Sequence, residues 1–306
     1  MSTTTLLQLV QQATGELGLA VPTTVIGNTN TDVIQILRLI NACGYELQRK
    51  WEWQALTTEY RFSMVFYSYT ATTTDDSTTI SAMSSTTGLT TNPTYFSVTG
   101  TGIAQDTYLD SVNAGASTAV LSLAATASGT AITLTFSQTR YAMPSAFDRL
   151  IDKTDWDKSK HWEMLGPETG QQWQWLKSGF ISTGPRLRFR VLGDLFQVWP
   201  PSGVDDTLGF EYVSRNWAAT TAGVAKASFT VDTDTCIYPD RLVVLFLKKK
   251  YFEIKGFDTT ALERDYSAEL DLAKANDAGS PTLSMNPRLS ETLLGWGQIP
   301  DSGYGS

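Results

Sequence analysis

A block of 78 residues, from Phe62 to Thr139, sets the strongest limit on how this chain folds. It contains 20 threonines and no lysine, arginine, glutamate, histidine or tryptophan. Threonine is β-branched and polar, so it suits the solvated face of a β-sheet. Glycines divide its short apolar runs, as the turns of a small antiparallel sandwich or barrel require. We therefore predict a separately folding β domain here, and not a disordered low-complexity segment.

Both ends of the chain show the periodicity of amphipathic helices. At the N-terminal end, residues 3–19 and the stretch from Asp32 to about Lys50 repeat apolar side chains every three or four positions. At the other end, Pro239 opens a helix, and the stretch that starts at Thr260 has the spacing of a capping box before a last helix.

Helices at both ends and strands between them predict an α+β fold. We expect a helical bundle built from the N- and C-terminal helices, with packed β-hairpins and an inserted small antiparallel β-sandwich or barrel. The predicted limits are residues 1–61 and 140–276 for the helical and β body and 62–139 for the insertion. Residues 277–306 are predicted to form an extended C-terminal docking arm.

A row of arginines marks the first strand of a hairpin predicted over residues 186–199. Arg186, Arg188 and Arg190 alternate with apolar residues, so their guanidinium groups share one side of the strand. Planar guanidinium forks suit carboxylates and phosphates. We expect either a solvated charged face or a contact between subunits, with DNA a weaker alternative.

The bulk composition excludes several classes of protein. A net charge of −8 disfavours wrapping around nucleic acid, although DNA can slide past such a surface. Cys43 and Cys236 are far apart in sequence, which favours two buried thiols over a disulfide. The apolar run Leu242–Leu247 is too short to cross a bilayer, and the first residues lack the features of a signal peptide. We expect no membrane association and assembly in a cytoplasm.

No motif for catalysis or for a cofactor emerges from the sequence. The only histidine, His161, lies in an acidic stretch interleaved with lysines, without the spacing of a calcium or zinc site. Glu163 and Glu168 are the nearest candidates for a pair of catalytic carboxylates. We expect no enzyme activity, no cofactor and no metal.

The residues after Asn276 are rich in glycine, serine and proline, yet they carry large apolar side chains at intervals. This spacing is typical of an extended arm that docks on a partner. The candidate anchors are Leu289, Leu293, Leu294, Trp296 and Tyr304.

Several segments together resemble a known family. They are a helix pair, W-E-W at 51–53, Y-A-M-P-S-A-F-D-R-L-I-D-K-T-D-W-D from Tyr141, the hairpin R-L-R-F-R with F-Q-V-W-P-P, and a terminal helix pair. This order resembles the head-to-tail adaptor (tail tubular protein A-like) family of short-tailed bacteriophages. The block from Ser97 to Phe136 is similar to a small β module of many phage structural proteins.

The resemblance implies a structural role at the head–tail junction of a virion. Proteins of that family form a ring, usually twelvefold, between the portal protein and the tail nozzle protein. Genomic DNA passes through the ring without sequence-specific binding. We therefore expect portal protein, nozzle protein and neighbouring copies of the chain as partners, with the β insertion on the outer rim.

Two other functions fit parts of the sequence. A tail protein that binds host glycans would use exposed tryptophans and the β module. A tail-associated cell-wall hydrolase would use Glu163 or Glu168. Symmetry separates these hypotheses, since a closed ring around a wide pore favours the adaptor and a trimeric spike favours the glycan-binding protein.

Overall fold

The computed structural model describes residues 4–179 and 186–278. Within these ranges the chain forms five α-helices: α1 (Leu6–Leu17), α2 (Thr31–Lys50), α3 (Gly170–Lys177), α4 (Asp240–Lys255) and α5 (Thr260–Ala278). It also forms these strands: β1 (Thr57–Ser63), β2 (Phe66–Thr73), β3 (Thr79–Ile80), β4 (Phe96–Gly100), β5 (Leu109–Asn113), β6 (Thr118–Leu121), β7 (Gly129–Gln138), β8 (Arg140–Ala142), β9 (Phe147–Leu150), β10 (Trp156–Asp157), β11 (Trp162–Glu163), β12 (Arg188–Leu192), β13 (Leu195–Trp199), β14 (Thr207–Ser214), β15 (Ala218–Ala219), β16 (Ala225–Lys226) and β17 (Thr235–Cys236). The predicted α+β class is confirmed.

The described residues divide into two compact units. The helical unit comprises residues 4–58, 145–150 and 211–278, and the β unit comprises residues 59–144, 151–179 and 186–210. Strand β14 begins in the β unit, where it pairs with β10, and ends in the helical unit, where it pairs with β9. The domain limits predicted at residues 62 and 139 stay a prediction.

Helix α4 is the centre of the helical unit. Its six consecutive apolar residues, Leu242–Leu247, are all buried, as expected of a helix that is covered on every side. The covering elements are α1, α2 and α5, each of which packs on α4. The short apolar run of the sequence is therefore a core helix, and among the described residues no helix is long and apolar enough to span a membrane.

The lysine run that follows this apolar stretch ties α4 to its three neighbours. Lys248 pairs with Glu16 of α1 over 2.7 Å, and Lys250 pairs with Glu46 of α2 over 2.9 Å. Lys249 pairs with Glu263 of α5. Attraction of cations to the C-terminal end of a helix would be a sufficient local reason for a lysine run here, but these ion pairs to three different helices also stabilise the lysines.

Capping residues set the ends of the N-terminal helices. Thr5 and Gln8 form a reciprocal capping box at the start of α1, and Gly18 ends it in the left-handed conformation. At α2 the side chain of Asn30 accepts a hydrogen bond from the Asp32 backbone N–H. We expected Asp32, where the periodic stretch begins, to cap this helix, and that expectation is wrong by two residues. Asn30 satisfies a donor that has no partner within the helix.

The last helix also begins differently from the expectation. The Asp258 carboxylate accepts hydrogen bonds from the backbone N–H and the hydroxyl of Thr260, both through one oxygen. The Glu263 side chain is engaged by Lys249 instead of turning back to the helix start. The expected capping box of Thr260 and Glu263 is therefore replaced by a cap from Asp258.

The threonine-rich block folds as two three-stranded antiparallel sheets. Their strand orders are β2-β7-β4 and β3-β6-β5. Both sheets contribute to one core, whose members include Ala71, Ile80, Val98, Leu109, Leu121, Leu134 and Phe136. This is the sandwich form of the prediction, and the described strands form no closed barrel.

The predicted hairpin is present, together with a helix that the sequence analysis missed. Strands β12 and β13 pair antiparallel, and Gly193 and Asp194 turn between them with positive φ angles, as a tight two-residue turn requires. Helix α3 precedes the hairpin and buries Trp173 and Leu176 against Trp199.

Candidate functional site

The arginine row is joined to two glutamates of the same chain. Arg186 donates from Nη1 to Glu163 Oε1 over 2.8 Å, and Arg188 donates from Nη1 to Glu168 Oε1 over 2.6 Å. These glutamates are the two carboxylates that the hydrolase hypothesis would use. Each carboxylate therefore has a structural partner, and the two features that the sequence presented separately form one cluster.

The segment before α3 delivers Glu168 to this cluster. It runs beside β12, with hydrogen bonds of 2.9 Å from the Leu165 N–H to the Leu187 carbonyl and from the Phe189 N–H to the Leu165 carbonyl. The Glu168 N–H then donates to the Phe189 carbonyl over 3.0 Å. A Cβ at Gly166, where φ is +151°, would lie 2.5 Å from the Phe189 carbonyl oxygen, so this close approach needs glycine.

The third arginine has a different environment. The Arg190 guanidinium lies beside Gly170 at the start of α3, where its nearest nitrogen is 3.3 Å from an ideal Cβ position. A cation at a helix N-terminus is unfavourably placed with respect to the helix dipole. In the described part of the chain Arg190 has no ion-pair partner, whereas Arg186 and Arg188 have one each. Whether any of the three contacts a neighbouring subunit stays a prediction.

The acidic stretch around His161 is organised by hydrogen bonds and ion pairs. Asp157 accepts backbone N–H bonds from Ser159 and Lys160, and Lys160 also pairs with Asp206. His161 itself is exposed in the tight connection between β10 and β11. No cluster of ligating side chains suited to a metal ion occurs among the residues described here.

One aspartate of this stretch is buried without a hydrogen-bonding partner for one of its oxygens. Asp155 is 4% exposed, and its Oδ1 has no partner in the described structure. Burial raises the pKa of this carboxyl to about 7, and the nearby Asp152 charge adds to the effect. It belongs to no metal-ligating cluster among the described residues, and we assign it no catalytic role.

A second polar cluster, which the sequence analysis did not identify, holds α3 in the β unit. The Tyr108 ring lies between the Arg140 guanidinium, 4.3 Å from the ring centroid, and the Lys177 ammonium, 4.8 Å from it. Lys177 also pairs with Asp106 over 2.9 Å. Burial raises the pKa of the Tyr108 hydroxyl. Both cations lie outside the threonine-rich block, at residues distant from Tyr108 in sequence, so no local pattern indicates this cluster.

The tryptophans divide between core and surface. Trp53, Trp173, Trp199 and Trp217 are buried. Trp51, Trp162 and Trp175 are the exposed ones of the described set. The glycan-binding hypothesis depends on exposed aromatic rings of this kind. It stays a prediction.

The predicted anchors of the C-terminal arm, Leu289, Leu293, Leu294, Trp296 and Tyr304, lie outside the described residues. The two cysteines lie within them, and both are buried free thiols, as expected. Burial raises the pKa of the Cys236 thiol to about 12, which keeps it protonated and unreactive.

Comparison with known proteins assigns the chain to a family. No curated protein was found to match it. The model of the family described as SU10 adaptor protein matches residues 103–287, which is more than half of the 306 residues. This range contains the arginine cluster and helices α3, α4 and α5. The match supports a phage adaptor without selecting the tail tubular protein A-like branch, and the chain belongs to the SU10 adaptor protein family of phage structural adaptors.

Proposed function

We propose that the chain is the head-to-tail adaptor of a phage virion and forms a ring that joins the portal to the tail nozzle. The family assignment is the observation that carries this proposal, because it identifies a phage structural adaptor and hence a virion protein. In the proposed ring, residues 1–61 and 140–276 form the body, and the 62–139 insertion lies on the outer rim.

The electrostatics of the chain support a passive channel for DNA. Its net charge is −8, so a ring of many copies repels the phosphate backbone and holds it weakly. Most lysines of the helical unit are also used within the chain, as in the pairs of Lys248 and Lys250 with Glu16 and Glu46. DNA passing through such a ring meets few unpaired cations that would retain it.

The ion pairs of the arginine cluster support a structural role over a hydrolytic one. Glu163 and Glu168 each have an arginine partner, and the family is one of structural adaptors. The proposal accordingly gives the chain no enzyme activity. Its partners are the portal protein, the nozzle protein and neighbouring copies, in a ring that we propose to be twelvefold.

The C-terminal arm supplies the proposed attachment to the portal. Its apolar residues are spaced as anchors, and the segment that carries them comes after α5 of the helical unit in the sequence. We propose that the arm contacts the portal, with Trp296 among its anchors.

Sequential binding tests this function. The purified chain is added to portal particles, and nozzle protein is then added with and without it. We expect the nozzle protein to sediment with the portal only when the chain is present. A chain truncated after Ala278 should remain folded and fail to bind the portal. Nozzle protein that binds portal particles equally well without the chain would contradict the proposal.

A further inference from the structure

The outer face of α2 is a charged stripe. Ile34, Arg38, Tyr45 and Arg49 recur at the spacing of one helix face, and all four side chains are exposed. The opposite face, which includes Ile36, packs toward α4. Exposed tyrosine, arginine and isoleucine on one stripe form the composition of a protein interface.

The two arginines of this stripe are not used inside the chain. The other charged residues of α2 have partners: Asp32 with Lys255, Glu46 with Lys250, and Lys50 with the Tyr266 hydroxyl. Within the described ranges Arg38 and Arg49 form no ion pair, although carboxylates outnumber cations in the chain. They are therefore available to carboxylates of another molecule.

Helix α5 and the residues just before it present a complementary stripe. Asp258 and Leu272 are exposed, Leu272 to 54%, and Glu269 is half-buried one turn before Leu272. Helix α5 carries five carboxylates against two basic residues, so it concentrates the negative charge of the helical unit. Among the described residues Glu269 and Asp258 have no cationic partner, whereas Glu263 is paired with Lys249.

The charged residues of the two stripes have the same spacing in sequence. Arg38 and Arg49 are eleven residues apart, and so are Asp258 and Glu269 (49 − 38 and 269 − 258). Within α2 that separation is about 16 Å at the rise of an α-helix. Asp258 lies two residues before α5, so the helical rise applies to the second stripe only from Thr260 to Glu269. In an antiparallel arrangement Arg38 meets Glu269 and Arg49 meets Asp258, and Ile34 then lies one position away from Leu272 in the register.

The two stripes lie on different helices of the helical unit. Both α2 and α5 pack on α4, and each stripe lies on the exposed side of its helix. A contact between two different surfaces of identical subunits is head-to-tail, and it produces a ring when the rotation closes. We propose that the α2 stripe of one copy docks on the α5 stripe of the next copy, an inference that rests on the ring of the proposed function.

A charge exchange tests this pairing. In Arg38→Glu protein two carboxylates face each other at every contact, and in Glu269→Arg protein two guanidinium groups do. Because like charges at an interface are strongly unfavourable, we expect each variant alone to form about tenfold fewer ring species on the portal than wild type. Neither residue has a described ion pair in its own chain, so both variants should keep the wild-type circular dichroism and Tm.

The decisive measurement uses a mixture of the two variants. Each contact between unlike subunits then pairs a carboxylate with a guanidinium, so equal amounts should restore rings of alternating subunits. Arg264→Glu is the matched control: Arg264 is 79% exposed on another face of α5, and its reversal should leave assembly unchanged.

Each outcome bears on the inference. Restoration by mixing supports the pairing. Wild-type assembly by either variant alone, or no recovery in the mixture, overturns it while the ring itself stands. A wild-type chain that never forms multi-subunit species, alone or on the portal, overturns both the pairing and the ring.

Discussion

Arg188 donates a hydrogen bond of 2.6 Å to Glu168, whose side chain is only 7% exposed. Its neighbour on β12, Arg186, makes a similar contact of 2.8 Å to Glu163, which is 53% exposed. The two pairs have the same chemistry and differ mainly in burial. They therefore separate the contribution of burial from that of the charge pair itself.

Glu168→Gln should destabilise the protein. The change leaves the partly buried Arg188 without its counter-charge, at a cost of about 1–3 kcal/mol after allowance for the exposure of the arginine. Glu163→Gln is the matched control, and it should cost about 0–1 kcal/mol because that pair is solvated. Urea unfolding measures both, and equal losses in the two variants would contradict the account.

Arg190→Gln should separate assembly from stability in the arginine row. Arg190 has no described ion pair and lies beside the N-terminus of α3, so its loss should change the free energy of unfolding by less than about 0.5 kcal/mol. If it contacts a neighbouring carboxylate, ring formation weakens, most of all at low salt, where screening is least. Sedimentation at two salt concentrations measures this. An unchanged salt dependence would leave Arg190 a solvated residue.

Gly44→Ala should destabilise the helical unit. A Cβ at this position of α2 would lie 2.3 Å from the Trp217 ring, and Trp217 is 1% exposed. We expect a loss of about 1–3 kcal/mol, since overpacking outweighs the better helix propensity of alanine. Gly15→Ala in α1 is the control, because no atom lies within 4 Å of its added Cβ. The Gly15→Ala change should be neutral or stabilising by up to about 1 kcal/mol. A lower melting temperature for Gly15→Ala than for Gly44→Ala would refute the packing argument.

The helices and the hairpin could be predicted from the sequence because their signals are local. The alternation around Arg188 and the Gly-Asp turn fix the hairpin, and the periodicity around Ile36 fixes α2. Helix α3 was missed because its eight residues are mostly polar and its two buried side chains pack on Trp199, far along the chain.

The ion pairs of the arginine cluster could not be predicted from the sequence, because they join residues that are distant in sequence. The sequence placed the arginines on one side of a strand and left Glu163 and Glu168 as possible catalytic groups. Their pairing depends on the parallel course of the Leu165 segment beside β12, which no local pattern specifies. The ion pairs of the lysine run Lys248–Lys250 could not be predicted for the same reason. Their partners, Glu16, Glu46 and Glu263, belong to three different helices that are distant from one another in sequence.

Asp155→Asn should change how stability depends on pH. The pKa of the buried Asp155 carboxyl is raised to about 7, whereas the ordinary value in an unfolded chain is about 4. Between these values the folded protein holds the extra proton, so the free energy of unfolding of the wild type falls as the pH rises from about 4 to about 7. Asparagine does not titrate, so the free energy of unfolding of the variant should not fall in this way. Relative to the wild type, the variant should become more stable over this range, by up to about 3 kcal/mol at pH 8.

The midpoints of urea unfolding at pH 5 and pH 8, compared between Asp155→Asn and wild type, measure this change in stability. Asp152→Asn is the control, because Asp152 is exposed and contributes only through its charge near Asp155. Parallel pH profiles for wild type and Asp155→Asn would show that the buried carboxyl does not titrate in this range.

Copies of this chain should close into a ring on the portal. Particle images of the purified protein, recorded with and without portal particles, would show whether they do. We expect a closed ring around a central pore on portal particles, with the same rotational order in all class averages. Trimeric spikes, or single copies scattered on the portal without a ring, would contradict this expectation.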